Sequence, residues 1–166
     1  MTTPGTLTVT TPSDREIVMT RAFDAPRTLV WEALTTPALL QRWLLGPPGW
    51  TMTTCEMDLR VGGAYRYEWR KDTGTVMGMG GVLREVVAPE RMTATEKFDQ
   101  SWYPGEALVS QVLTERDGKT TITMTLRYES KEARDMVVKS GATAGMETGY
   151  ARLAELLAAT PAGNGH

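Results

Sequence analysis

Histidine is missing from the body of this chain, whose only one is His166, the last of 166 residues. With no imidazole inside the fold, histidine-based catalytic dyads and most zinc or iron sites are excluded. Cysteine is almost as scarce. Cys55 stands alone, so no internal disulfide can form, and a single unpaired thiol fits a reducing cytoplasm. Charge of one sign is lacking as well: 18 basic side chains stand against 20 acidic ones, with no basic block. That balance argues against a nucleic-acid or anionic-membrane surface. No apolar run approaches the roughly 18 residues of a membrane span, and no basic stretch leads into an apolar one as a signal peptide would. The expectation is a cytoplasmic domain with no metal, no cofactor, no nucleic acid and no membrane contact.

What is present is enough for one domain with a substantial core. Residues 1–13 are rich in Thr and Pro with almost no apolar content and read as a disordered arm; residues 160–166 read as a disordered tail. The domain is expected between them, at 14–159. Ile17, Met19 and Phe23 mark a first strand over 15–23. Asp24-Ala25-Pro26 and then Thr36-Pro37 start two short helices, with apolar faces at Leu29, Val30, Ala33, Leu34 and at Leu39, Leu40, Trp43, Leu44. Gly46-Pro47-Pro48-Gly49 ends the second. The period then drops to two, predicting strands over 51–59, 64–70, 76–87, 92–98, 108–115 and 119–129. Asp117-Gly118 is the strongest turn among them, the preferred tight hairpin pair.

The chain closes on a helix predicted over 140–159. Met146, Gly149, Tyr150, Leu153 and Leu157 recur on one face at helical spacing, with Leu156 beside them. Two glycines on that face, Gly145 and Gly149, each cost roughly 1 kcal/mol against alanine. Either the sheet comes very close there, or volume is left open for something that is not protein. The order strand, two helices, six strands, long helix predicts an α+β fold, a curved seven-stranded antiparallel sheet wrapped around the last helix.

Several segments resemble a known superfamily. These are Arg21-Ala22-Phe23-Asp24-Ala25-Pro26 with Val30-Trp31, Arg42-Trp43 with Gly46-Pro47, and Asp58 through Gly63. Gly81 with Arg84-Glu85-Val86, Pro89-Glu90-Arg91, and Gly145-Met146 through Tyr150 and Leu153 add to them. Together they look like the SRPBCC, or START-like, superfamily, in the branch related to the C-terminal domain of the Hsp90 ATPase activator. The resemblance runs over about 15–159. It implies a helix-grip fold with an elongated, mostly apolar cavity between sheet and helix. In the relatives it resembles, the position of Leu83 is often aromatic and that of Ala142 often a larger apolar residue, so both differences would enlarge or reshape that cavity.

Strand alternation sorts the candidate lining residues. The predicted set is Trp43, Trp69, Met79, Met124, Met146, Gly149 and Tyr150, with ten methionines in the chain supplying an adaptable apolar wall. Asp58, Glu68, Glu85 and Glu96 sit in strands, and any that faces the cavity would have its pKa raised. Arg60, Arg66, Arg70, Arg84 and Arg91 lie near enough in sequence to pair with them as ordinary cross-strand partners. Glu85 is placed in the binding set; no catalytic residue is assigned. The expected function is binding of a small hydrophobic ligand. The resemblance implies two alternatives: an enzyme of the polyketide cyclase or aromatase kind using a cavity carboxylate and a tyrosine, and a module that contacts a chaperone. The oligomeric state is left open, a homodimer included.

Overall fold

Alternating apolar and polar residues give strands wherever the sequence predicts them, and a computed structural model, which describes residues 6–160, gives their order. The elements are β1 (Thr8–Thr10), β2 (Glu16–Phe23), α1 (Arg27–Thr35), α2 (Pro37–Trp43), β3 (Trp50–Met57) and β4 (Ala64–Lys71). Then come β5 (Val76–Val87), β6 (Arg91–Phe98), β7 (Ala107–Arg116), β8 (Lys119–Arg127), α3 (Lys131–Lys139) and α4 (Ala142–Ala159). The sheet runs β1-β2-β8-β7-β6-β5-β4-β3, antiparallel throughout. From β3 to β8 it is a meander of short connections, and β2 closes it by pairing with the last strand. This is the helix-grip architecture.

Two features differ from the expectation. The sheet has eight strands, because Thr8–Thr10 in the supposedly disordered arm pairs with Thr20, Met19 and Val18 of β2. Thr and Val are strand formers even where every side chain is exposed, and an open sheet edge supplies the missing partners. Residues 1–5 and 161–166, part of the predicted arm and most of the tail, lie outside the described residues. The second difference is α3, unforeseen in the sequence reading. Its N-cap is Ser130, whose hydroxyl accepts a 3.1 Å bond from the Ala133 amide, with Glu132 in the first turn. Gly141, at φ 83°, separates α3 from α4, so the long helix starts two residues later than Ser140.

The turn and helix signals act as read. Asp117 and Gly118 both hold positive φ, 53° and 76°, as a two-residue hairpin between Arg116 and Lys119 requires. Pro37 sits in the first turn of α2 behind Thr36. Helix α4 buries Gly149, Tyr150, Leu153, Leu156 and Leu157. Each large apolar side chain so buried contributes roughly 1.5–3 kcal/mol. The apolar interior is nevertheless divided. One cluster gathers Trp31, Leu40, Trp43, Tyr150, Leu153 and Leu157 under the C-terminal half of α4. A second joins Ile17, Met19, Tyr103, Leu126, Tyr128 and Val137 beside α3. Met146 packs against both.

Candidate functional site

Between the two clusters lies a cavity of about 270 Å³. It opens where the leucine-rich half of α4 gives way to Ala142, Gly145, Met146 and Gly149, too small a set to fill the sheet's concave face. A Cβ built on Gly145 meets nothing within 4 Å, and one on Gly149 comes only to 3.9 Å from Trp43. These glycines therefore border open volume, and neither is needed for close backbone approach.

The wall is built on rigid elements. The Trp43 indole donates to the Ala33 carbonyl of α1 at 2.9 Å, and that of Trp69 donates to the Leu44 carbonyl at the end of α2 at 2.7 Å. Both rings thus present carbon to the cavity while their polar atoms are satisfied by the helices. Seven of the ten methionines line it, Met79, Met124 and Met146 among them, which makes the wall both apolar and adaptable. Leu83 and Ala142 also line it.

Of the predicted set, Trp43, Trp69, Met79, Met124, Met146 and Gly149 converge here. Tyr150 does not. Its ring is fully buried behind the wall, edge-on to Phe23 at 5.5 Å and 6.0 Å from Trp43, and its main-chain oxygen accepts from the buried Arg21 guanidinium. Glu85 does not either. Simple alternation puts it on the face of Met77, Met79 and Leu83, but the β5–β6 register shifts between Leu83 and Glu85. That bulge inserts one residue and exchanges the faces beyond it. Val86 consequently packs on the core, while Glu85 turns out to Arg91 at 3.0 Å.

The carboxylate the cavity does hold is Glu96. Along β6 the inner face reads Met92, Ala94, Glu96, Phe98, and that alternation was the available signal for it. The other three candidates are neutralised outside: Asp58 by Arg60 at 2.8 Å, Glu68 by Arg66 at 2.9 Å, and Glu85 by Arg91. Glu96 has no hydrogen-bond or ion-pair partner among the described residues. Its side chain keeps some accessible surface although it lies wholly within the protein, because that surface faces the cavity. Burial pushes its carboxyl up to about 7. Four tyrosines, Tyr65, Tyr67, Tyr103 and Tyr128, line the same end. Burial raises their hydroxyls, and the negative charge of Glu96 raises all four further. Tyr65 donates to the Thr95 carbonyl at 2.6 Å, whereas the Tyr103 hydroxyl and the Gln111 Oε1 are buried without a partner among the described residues. Sequence reasoning missed Tyr103 and Gln111.

A helix-grip sheet, a cavity under the N-terminal half of its last helix and glycines where that helix borders it all point one way. Residues 24–158 match the family described as Activator of Hsp90 ATPase homolog 1-like protein. The chain belongs to this family. Similar structures agree over nearly full length. A protein from Rhodobacter sphaeroides is 34% identical, with a TM-score of 0.88 over 93% of this chain and 99% of the other. A Mycobacterium smegmatis protein is 27% identical, with a TM-score of 0.82 over 94% and 99%. One from Nitrosomonas europaea is 25% identical, with a TM-score of 0.78 over 89% and 97%. No curated protein matches the chain. Within the family's frame, no helix among the described residues is long and apolar enough to cross a membrane.

Proposed function

We propose that this activator-like domain binds a small hydrophobic molecule in the cavity between its sheet and α4. The observation that carries the reading is the cavity wall itself, formed by tryptophans, methionines and leucines with few polar groups. Apolar surface facing open volume has no partner atoms, so a ligand that fills it recovers burial and dispersion together. Concave, mostly apolar sites with a few convergent polar groups are the usual form of small-molecule sites. Trp43, Trp69, Met79, Met124, Met146 and Gly149 would be its apolar contacts.

A carboxyl and tyrosine hydroxyls do converge in the cavity, as an enzyme of the cyclase kind requires. Among the described residues no second carboxylate, lysine or histidine accompanies them on the wall, so binding is the better supported reading. The chaperone-contact alternative calls for a continuous apolar patch on the outer face. There the exposed Leu108 stands between Thr95 and Arg127, and Val112 between Arg91 and Thr123. Those neighbours interrupt the apolar surface at both positions.

The test is thermal unfolding with a broad panel of fatty acids, alcohols, amines and aromatic compounds, followed by native mass spectrometry of the complexes. One molecule bound per chain with a raised melting temperature is expected, since a ligand selective for the folded state stabilises it by mass action. No binding across the panel removes the reading.

A further inference from the structure

We propose that the ligand of this cavity carries a protonated amine at one end, seated on Glu96 between two ladders of aromatic rings. The inference rests on the cavity-binding reading above and names the class of molecule that would occupy it.

The first support is a missing counter-charge. The candidate strand carboxylates of this sheet other than Glu96 each have an arginine at 3.0 Å or less. Among the described residues Glu96 has none, and no lysine, arginine or histidine lines the cavity wall. The groups facing it are neutral: Tyr65 and Tyr67 from β4, Tyr103 from the segment between β6 and β7, and Tyr128 just after β8. A carboxyl held in apolar surroundings without a cation is costly to ionise, and a ligand ammonium would supply what the protein omits.

The second support is independent of charge on the protein. Aromatic rings form two contiguous runs along the wall. Tyr65, Tyr67 and Trp69 follow one another with centroids 5.1 and 5.9 Å apart. Phe98, Trp102, Tyr103 and Tyr128 do the same at 4.8, 5.2 and 5.3 Å. Both runs line the cavity that holds Glu96, and members of each, Tyr65 and Tyr67 in one and Tyr103 and Tyr128 in the other, feel its charge. Ring faces attract cations, and the attraction is strongest where water is excluded. The buried Gln111 Oε1, an acceptor without a donor among the described residues, belongs to a residue of the same cavity wall and adds to its preference for donors. An anionic head would meet a carboxylate and no cation. A neutral alcohol could give Glu96 one hydrogen bond but no charge.

The probes are decylamine, decanol and decanoate, which share one apolar chain, titrated into the intact protein by calorimetry. At about pH 8 decylamine should bind at least about tenfold more tightly than decanol, since its ammonium adds charge attraction to the hydrogen bond that either head group can donate. An aliphatic amine stays protonated over this range, so its affinity should climb roughly tenfold between about pH 6 and about pH 8 as Glu96 ionises, while that of decanol stays flat. Glu96→Gln should abolish both the preference and the pH dependence, with decanol binding retained as proof of an intact cavity. The wild-type pH profile stands even if that variant folds poorly. Decanol binding as tightly as decylamine, or a preference that survives in Glu96→Gln, overturns the amine assignment alone. Failure of all three probes to bind removes the cavity-ligand reading beneath it.

Discussion

The Tyr65 hydroxyl on β4 reaches the Thr95 carbonyl on β6 at 2.6 Å, across an intervening strand that offers no side chain at Gly81. A Cβ on Gly81 would overlap that same carbonyl. The glycine is therefore part of the hydrogen bond, and the bond fixes the tyrosine beside Glu96. Gly81→Ala should destabilise the protein by about 1–3 kcal/mol, the usual range for overpacking, measured by urea unfolding. An unchanged midpoint would mean that the three strands can part without cost.

Gly145 and Gly149 should behave in the opposite way. A methyl on Gly145 meets nothing within 4 Å, and one on Gly149 makes ordinary contact with Trp43 at 3.9 Å. Alanine at either position should hold or raise stability by up to about 1 kcal/mol through helix propensity. Because both line the cavity, the same methyl should weaken ligand binding. A Gly149→Ala protein that melts clearly lower would sink the open-volume account at that position.

These glycines also mark how far the sequence could be read. Helical spacing and strand alternation are local, so β2 through β8, α1, α2 and the face of α4 were legible from residue patterns alone. Thr8–Thr10 was not, because an edge strand needs a partner and no particular periodicity. Helix α3 was legible only through its cap, a single serine before a short charged segment. At the site, Trp69 and Met79 followed from alternation within one strand. Glu85 failed because a bulge is a relation between two strands and leaves no mark in one. Tyr150 failed because a helix face broad enough to bury both sides cannot say which residue borders the cavity.

Cys55 offers a check on β3, the edge strand opposite Tyr67. Burial, reinforced by neighbouring Glu56, pushes its thiol from 9.0 to about 11. Only the thiolate attacks alkylating reagents, so at pH 8 iodoacetamide should modify it roughly a hundredfold more slowly than a free thiol. Urea should restore the free rate. A native protein that reacts at the free rate would show that β3 peels from β4 in solution.

The buried Glu96 makes a further prediction about stability and pH, independent of any ligand. Its carboxyl is raised in the folded protein from the ordinary 4.5 to about 7. Between those values the folded state holds a proton that the unfolded chain has released. Stability must then fall as pH rises from about 4.5 through about 7 and level off above, because the unfolded state binds fewer protons over that interval. The upper bound on the loss is about 3.5 kcal/mol, from roughly 1.4 kcal/mol per pH unit. Glu96→Gln keeps the shape and stays neutral. It should match the wild type near pH 5 and exceed it near pH 8, with urea midpoints measured across the range. If instead the two proteins lose stability in parallel as pH rises, Glu96 is solvated in the cavity and carries no penalty for its charge.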